Sequence, residues 1–208
     1  MRSDTALGQA WSMDTNEARE RYYDAWASKY DADLLGAGYR VPAVASAVFA
    51  RFNALGTGPI LDAGCGTGLQ TEALVLAGYG PFTGIDLSDG MLEIARSKGL
   101  YADLRKMALG GRLDFDDGTF AASYSIGAIT PNHAPPESID DIIRVTAKGG
   151  RVVVSMRVDA DQRPEYHARL AHHEGAGRWQ RIFETPMFHS MPITEPEIAH
   201  KVYVYGVL

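Results

Sequence analysis

The stretch Ile60-Leu61-Asp62-Ala63-Gly64-Cys65-Gly66-Thr67-Gly68 constrains this chain more than any other. Its apolar opening is too short for a helix and suits a buried strand. Three glycines then alternate with small residues, and Leu69 to Ala77 reads as a helix stopped by Gly78. A strand, a glycine turn and a helix N-terminus in that order cradle a nucleotide-type ligand, because backbone N–H groups can approach it with no Cβ in the way. Phe82-Thr83-Gly84-Ile85-Asp86 is predicted as a second strand with an acid at its C-terminal end, 22 residues past Gly64. Doubly wound α/β folds place an acid at that distance on a ribose diol. In register, these features point to an adenosine-type ligand.

The spacing argues against a dinucleotide. That fingerprint is Gly-x-Gly-x-x-Gly or Ala, whereas here Gly68 comes one residue early and Leu69 holds the last position. Asp62 stands two residues before the first glycine. A carboxylate there repels a pyrophosphate and suits a ligand with an amino group and a sulfonium. LDAGCGTG followed by GIDLS resembles the first two motifs of class I S-adenosylmethionine (SAM)-dependent methyltransferases, with similarity through roughly residues 20–157. Within that family the chain is most similar to the methyltransferase-like protein 27 group, from Asp62 through Met91-Leu92-Glu93, Gly99-Leu100-Tyr101 and Arg144-Val145-Thr146.

This resemblance implies SAM as cofactor and S-adenosylhomocysteine as its product. It implies an α/β fold: a Rossmann-like, seven-stranded, mostly parallel sheet with helices on both faces, the last strand antiparallel, and an N-terminal helical lid. The cofactor site it implies comprises Tyr30 from the lid, Asp62, Gly64, Cys65, Gly66, Asp86, Leu87, Asp103, Leu104 and Ile126. Asp103 inherits the role of an acid facing the adenine amino group, with Leu104 as an apolar wall; a solvated loop aspartate is the alternative.

With 208 residues, one domain spanning 1–208 is expected. Residues 1 to about 15 read as loose, 16–53 as the lid and 54–208 as the core. Hydrophobic residues make up 46% and charged residues 22%, ordinary for a globular chain. A net charge of −6 with no Lys/Arg-rich block argues against a nucleic-acid partner. Cys65 has no second cysteine to pair with and reads as a small filler rather than a nucleophile. No apolar run is long enough to span a bilayer and no signal-peptide pattern is present. A cytoplasmic monomer or homodimer, with no membrane partner, is the expectation.

Along the chain, Asn16 is predicted to cap a helix through about Tyr30, with Tyr22, Trp26 and Tyr30 on one face and Tyr23 and Ala27 widening the stripe. A second helix runs from about Val41 to Asn53. Ser88 is an N-cap candidate for Asp89 to Lys98, and Tyr101 to Leu104 reads as the third strand with its exit. Phe120 to Ile129 is the fourth strand with its exit, Glu137 to Ala147 a helix, and Arg151 to Arg157 a strand buried on both faces. Pro164 to Glu174 is helical, Trp179 to Phe188 and Lys201 to Leu208 are strands, and Pro192 and Pro196 mark a loop between them. Cys65 stands alone and His172-His173 diverge on a helix, so there is no metal signature.

Methyl transfer from a sulfonium is an in-line displacement in which the protein supplies positioning and desolvation. A base is needed only for an acceptor that arrives protonated with a pKa above the working pH. Candidates over the methyl are His133, Asn132 and Thr130 after strand four, Tyr22 and Tyr30 from the lid, and His189; His133 is the catalytic candidate. The loop lacks the Asn/Asp-Pro-Pro-aromatic run of amino-base methyltransferases, which argues against a nucleobase amine. A small-molecule acceptor is the expected substrate. The alternatives are a non-catalytic SAM-binding module and a nicotinamide-dependent reductase.

Overall fold

The computed structural model describes residues 15–208, so the loose segment expected at the start of the chain lies outside the described residues except for Thr15. Helix α1, Asn16–Gly36, is capped by Thr15 rather than Asn16: the extended Thr15 backbone lets its Oγ1 accept from the Ala18 N–H at 3.2 Å. It continues past Tyr30 because Asp31 to Leu35 contain no breaker and Leu34 is buried. Helix α2 is Val41–Phe52. Then follow β1 (Ile60–Ala63), α3 (Glu72–Leu76), β2 (Phe82–Asp86), α4 (Asp89–Ser97), β3 (Asp103–Lys106), β4 (Phe120–Ser125), α5 (Ser138–Val145), β5 (Thr146–Arg157), α6 (Pro164–Gly175), β6 (Trp179–Glu184), β7 (Phe188–Met191) and β8 (Glu195–Val207).

The sheet order is β3-β2-β1-β4-β5-β8-β6, with β1 to β5 parallel and β8 antiparallel to both neighbours. Seven strands lie on this path, as expected, and β7 adds an eighth by pairing with β8. The stretch read as one strand from Trp179 to Phe188 is therefore two, separated at Thr185-Pro186-Met187. Pro196 belongs to β8 rather than to a loop. It sits in the irregular step between the Met191–Glu195 and His189–Ala199 pairs, where a missing N–H is tolerated.

Period-two alternation sorts each strand between two cores. Leu61, Ala63, Val152, Val154, Tyr203 and Tyr205 face α5 and α6. Ile60, Tyr124, Val153, Val202 and Val204 face α2, whose Val41, Ala45 and Phe49 cover them. Three boundaries differ from expectation. Helix α3 is shorter than Leu69 to Ala77, because Gly68 at φ +81° and the inward turn of Gln70 and Thr71 keep the preceding residues as a turn. Helix α5 ends at Val145, and β5 begins at Thr146 with a register shift opposite Phe120 and Ala122 that absorbs Gly149 and Gly150. Strand β3 starts two residues later than expected, which moves the site residues treated below.

Candidate active site

The C-terminal ends of β1, β2, β3 and β4 meet at a cleft beside the switch point, where β1 is flanked by β2 and β4. Helix α1 closes one side. It is tied down by Asp24, whose carboxylate accepts from Ser88 Oγ at 2.6 Å and from the Gly90 N–H at 2.9 Å. Ion pairs at 2.5 Å, Asp31 with Lys98 and Glu20 with Lys106, hold it over α4 and β3. The cleft contains about 790 Å³ of empty space, counting its open mouth. Pockets for cofactor-sized molecules run roughly 300–1,000 Å³.

Gly64, Cys65 and Gly66 form its floor. The Gly64 and Cys65 N–H groups both donate to Ile85 O at 2.9 Å, which bends the loop out of the sheet. Gly66 has φ +52°, and a Cβ built on it would meet nothing within 4 Å, so the chain keeps this side of the cradle open. Asp86 Oδ2 accepts from the Gly66 N–H at 2.8 Å and Oδ1 from the Ser88 N–H at 2.9 Å. Burial raises its carboxyl above the ordinary range, opposed by these backbone donors. Each oxygen retains a lone pair toward the cleft, as a diol requires. Burial, with the Asp62 and Asp86 charges adding to it, pushes the Cys65 thiol well up, so Cys65 stays protonated.

Asp62 is in a different place from the one expected. The strand alternation that buries Ile60 against α2 points Asp62 to the same face, away from the cleft. Its Oδ2 accepts from Thr71 Oγ1 and Tyr101 Oη, both at 2.6 Å, while Gln70 Nε2 donates to both carboxylate oxygens at 3.2 and 3.3 Å. Gln70 does line the cleft, so Asp62 acts on it through this side chain. Burial pushes the Asp62 carboxyl up to about 6, against the lowering effect of its hydrogen bonds. A carboxyl raised on folding contributes stability that is fully present below about pH 4 and is lost as pH rises through about 6. Asp62→Asn cannot titrate. Thermal unfolding should therefore show wild type losing stability relative to this variant between pH 4 and 7, on the order of 2–3 kcal/mol. Parallel pH profiles would show that Asp62 keeps an ordinary pKa.

Asp103 and Leu104 also fall outside the cleft lining. Parallel pairing of Thr83 with Asp103 and Asp86 with Lys106 puts Asp103 at the start of β3, far from the end that faces the cleft. Its half-exposed side chain pairs with Arg105 at 2.6 Å. Leu104 packs over Gly84 beside Tyr101 and Cys65. The wall that these two were expected to provide is made by Met107, Ala108 and Leu109, with Leu87 and Met91 near them.

Tyr30, Leu87, Ile126 and His133 line the cleft as expected. Tyr22, Asn132 and His189 do not. The aromatic stripe of α1 packs on Leu34, Ala37, Met191 and Ile198, while a neighbouring stripe of Asn16, Arg19, Tyr23 and Tyr30 faces the cleft. The i, i+3, i+7 spacing of the first three was the available signal for Arg19 and Tyr23. Arg19 Nε donates to Asn132 O at 2.9 Å, joining α1 to the loop after β4. In the same loop, His133 Nε2 lies 2.5 Å from Tyr23 Oη and Nδ1 lies 3.3 Å from Pro131 O. Burial holds the imidazole down to about 4, with the Arg19 and Arg157 charges adding to it and the Pro131 carbonyl opposing. Burial raises the Tyr23 phenol, so Tyr23 donates and the neutral His133 Nε2 accepts.

A glycine cradle and a buried acid at the switch point of a doubly wound sheet, beside an aromatic N-terminal helix, are features of the class I SAM-dependent methyltransferases, and the chain belongs to that family. Residues 60–150 match the methyltransferase domain family. The chain is 35% identical over 174 residues to human methyltransferase-like protein 27, covering 80% of this chain and 70% of that protein. It is 41% identical over 70 residues to the 18S rRNA (guanine-N7)-methyltransferase of Saccharomyces cerevisiae, but this covers only 34% of this chain and 26% of that protein. The crystal structure of the [4+2]-cyclase SpnF superposes with a TM-score of 0.72 at 16% identity, covering 94% of this chain and 97% of that one. That likeness concerns the fold alone.

The cleft residues fit SAM. Gly66 leaves room against the backbone, Asp86 offers acceptors for the ribose diol, and Leu87, Met91, Met107 and Leu109 offer apolar surface for the adenine. Arg19 is a charged donor on the cleft wall that suits the carboxylate of the amino-acid end, while the Gln70 amide N–H₂ is already engaged by Asp62 and the Cys65 carbonyl.

Proposed function

We propose that the chain methylates a small-molecule acceptor, as a single domain of residues 1–208 whose segment 16–53 is the lid. The observation that carries this reading is the closure of the cleft by α1, with Tyr23, Tyr30 and His133 forming the wall where an acceptor would enter. A net charge of −6 supports it over a polyanionic substrate. The lone, buried thiol suits a cytoplasmic setting. When bound, SAM supplies a methyl group already activated by positive sulfur. Asp86, Gly66 and Ile126 hold and orient, α1 excludes water, and Tyr23 with His133 presents a polar edge to the acceptor.

With its pKa held near 4 and Nε2 engaged by Tyr23, His133 is a weak base and serves chiefly to orient that phenol. His133→Ala should lower kcat/KM for the acceptor about tenfold, the scale of one lost hydrogen bond, with SAM affinity nearly unchanged. His133→Gln should recover part of the loss. A fall of about 10²-fold or more, accompanied by loss of a pH limb, would instead make His133 a general base. The small-molecule reading is tested by offering labelled SAM with metabolite extract and, separately, with total RNA. Label in molecules below the size of a nucleic acid supports it. Label confined to RNA would replace it with the activity named for the yeast relative.

A further inference from the structure

A second pocket adjoins the cleft and shares Tyr23, Tyr30, Gly127 and His133 with it. It contains about 420 Å³ of empty space, counted as for the cleft, and reaches Leu34 and Tyr39 beneath α1, Thr130 after β4, Arg157 at the end of β5, Met191 of β7 and His200 of β8. Two of its polar atoms are conspicuous. Thr130 Oγ1 and His200 Nδ1 are buried, on side chains of residues 7% and 6% exposed, and have no hydrogen-bond partner among the described residues. Buried polar atoms without a partner are rare in folded proteins, and two on residues lining one pocket call for a partner that a bound ligand can supply.

The charge of the pocket narrows the ligand. Arg157 lines it and is held from behind by Asp159, at 2.6 and 2.9 Å, while Asp159 itself does not line the pocket. Among the described residues no carboxylate lines it, and the carboxylates paired with Arg157, Asp159 and the more distant Asp161 at 3.7 Å, lie outside the lining, so a protonated amine would face the guanidinium first. The Arg157 charge also adds to burial in holding both His133 and His200 down to about 4. Neither imidazole is then suited to take a proton from an alcohol or phenol near neutral pH. Tyr39, raised by burial, stays protonated as a donor, while the Tyr23 O–H is already given to His133.

We propose that this second pocket is the acceptor site and that it takes a small organic carboxylate, methylated on oxygen. This rests on the methyltransferase reading of the adjoining cleft. A carboxylate oxygen uses a lone pair to form the new O–CH₃ bond as the methyl carbon parts from sulfur. The C–S electron pair stays on sulfur, the acceptor's negative charge and the sulfonium's positive charge cancel, and no proton is released. Such an acceptor needs no general base. It needs donors for its oxygens, which Thr130, His200 and Tyr39 supply, and a guanidinium on its wall, which Arg157 supplies.

The test uses the purified 208-residue chain saturated with methyl-labelled SAM and a panel of benzoate, phenylacetate and hexanoate, each beside its amine and alcohol counterparts. Transfer to an acid is expected, as label that alkali releases as volatile methanol, at a rate nearly flat between pH 6 and 9. Thr130→Val and His200→Phe should each lower that rate about tenfold or more, with SAM affinity within about twofold of wild type and melting temperature preserved. Failure of every acid, or alkali-stable label in an amine or alcohol, overturns the proposal. So does loss of SAM affinity in well-folded Thr130→Val, which would make the pocket part of the cofactor site. If wild type does not bind SAM at all, the methyltransferase reading falls instead, which a titration without acceptor distinguishes.

Discussion

A Gly66→Val protein should fold and yet bind SAM at least about a hundredfold more weakly than wild type. Two effects act together. Gly66 sits at φ +52°, where a β-branched residue is strained by a few kcal/mol. Its Cβ would project into open cleft, where the backbone of the cradle must approach the ligand. The strain lowers the melting temperature, while the intruding methyl groups remove binding. Gly66→Ala separates the two, since it has most of the strain and less of the bulk. Its affinity should fall between those of wild type and valine. Calorimetric titration beside thermal unfolding measures both quantities. A valine variant that binds SAM normally would mean the cofactor does not pass over Gly66.

Asp86→Ala should weaken SAM binding about tenfold to a hundredfold or more. A hydrogen bond to a charged group contributes about 1.5–3 kcal/mol, and each 1.4 kcal/mol is a factor of ten. The structure raises the expectation toward the upper end, because Asp86 also anchors the Gly66 and Ser88 N–H groups. Its removal frees the glycine loop and the start of α4 as well as the ligand contact. Asp86→Asn keeps the shape but sets an amide N–H₂ against one of the two backbone donors, so it too should be weakened. Retained affinity in both variants would place the ribose elsewhere.

The sequence made the cradle legible because its signals are local. An apolar strand, left-handed glycines, the Ser88 cap and an acid ending β2 each follow from a few neighbouring residues, and Ser88 Oγ does accept from the Met91 N–H at 3.1 Å. What it hid depends on register. Asp62 looked like a ligand contact by its distance from Gly64, but strand alternation turns it to the α2 face. Asp103 looked like the end of a strand, but Tyr101 dips inward to reach Asp62 and delays β3. Arg19 and Tyr23 were overshadowed by the more conspicuous Tyr22-Trp26-Tyr30 stripe, of which Tyr22 and Trp26 pack on the protein itself while Tyr30 also lines the cleft. The second pocket was the least legible feature. Thr130, Arg157, Met191 and His200 come from four separate elements and meet only once β8 folds back against β5. Likewise β7, short and set off by Pro186, is specified by its pairing with β8 rather than by its own pattern.

The central claim, that the glycine cradle and Asp86 hold SAM, is tested most directly by calorimetric titration of the wild-type protein with SAM, run beside NADH under the same conditions. The account predicts saturable one-to-one binding of SAM and no heat of binding from NADH. Saturable binding of NADH with none of SAM would contradict it.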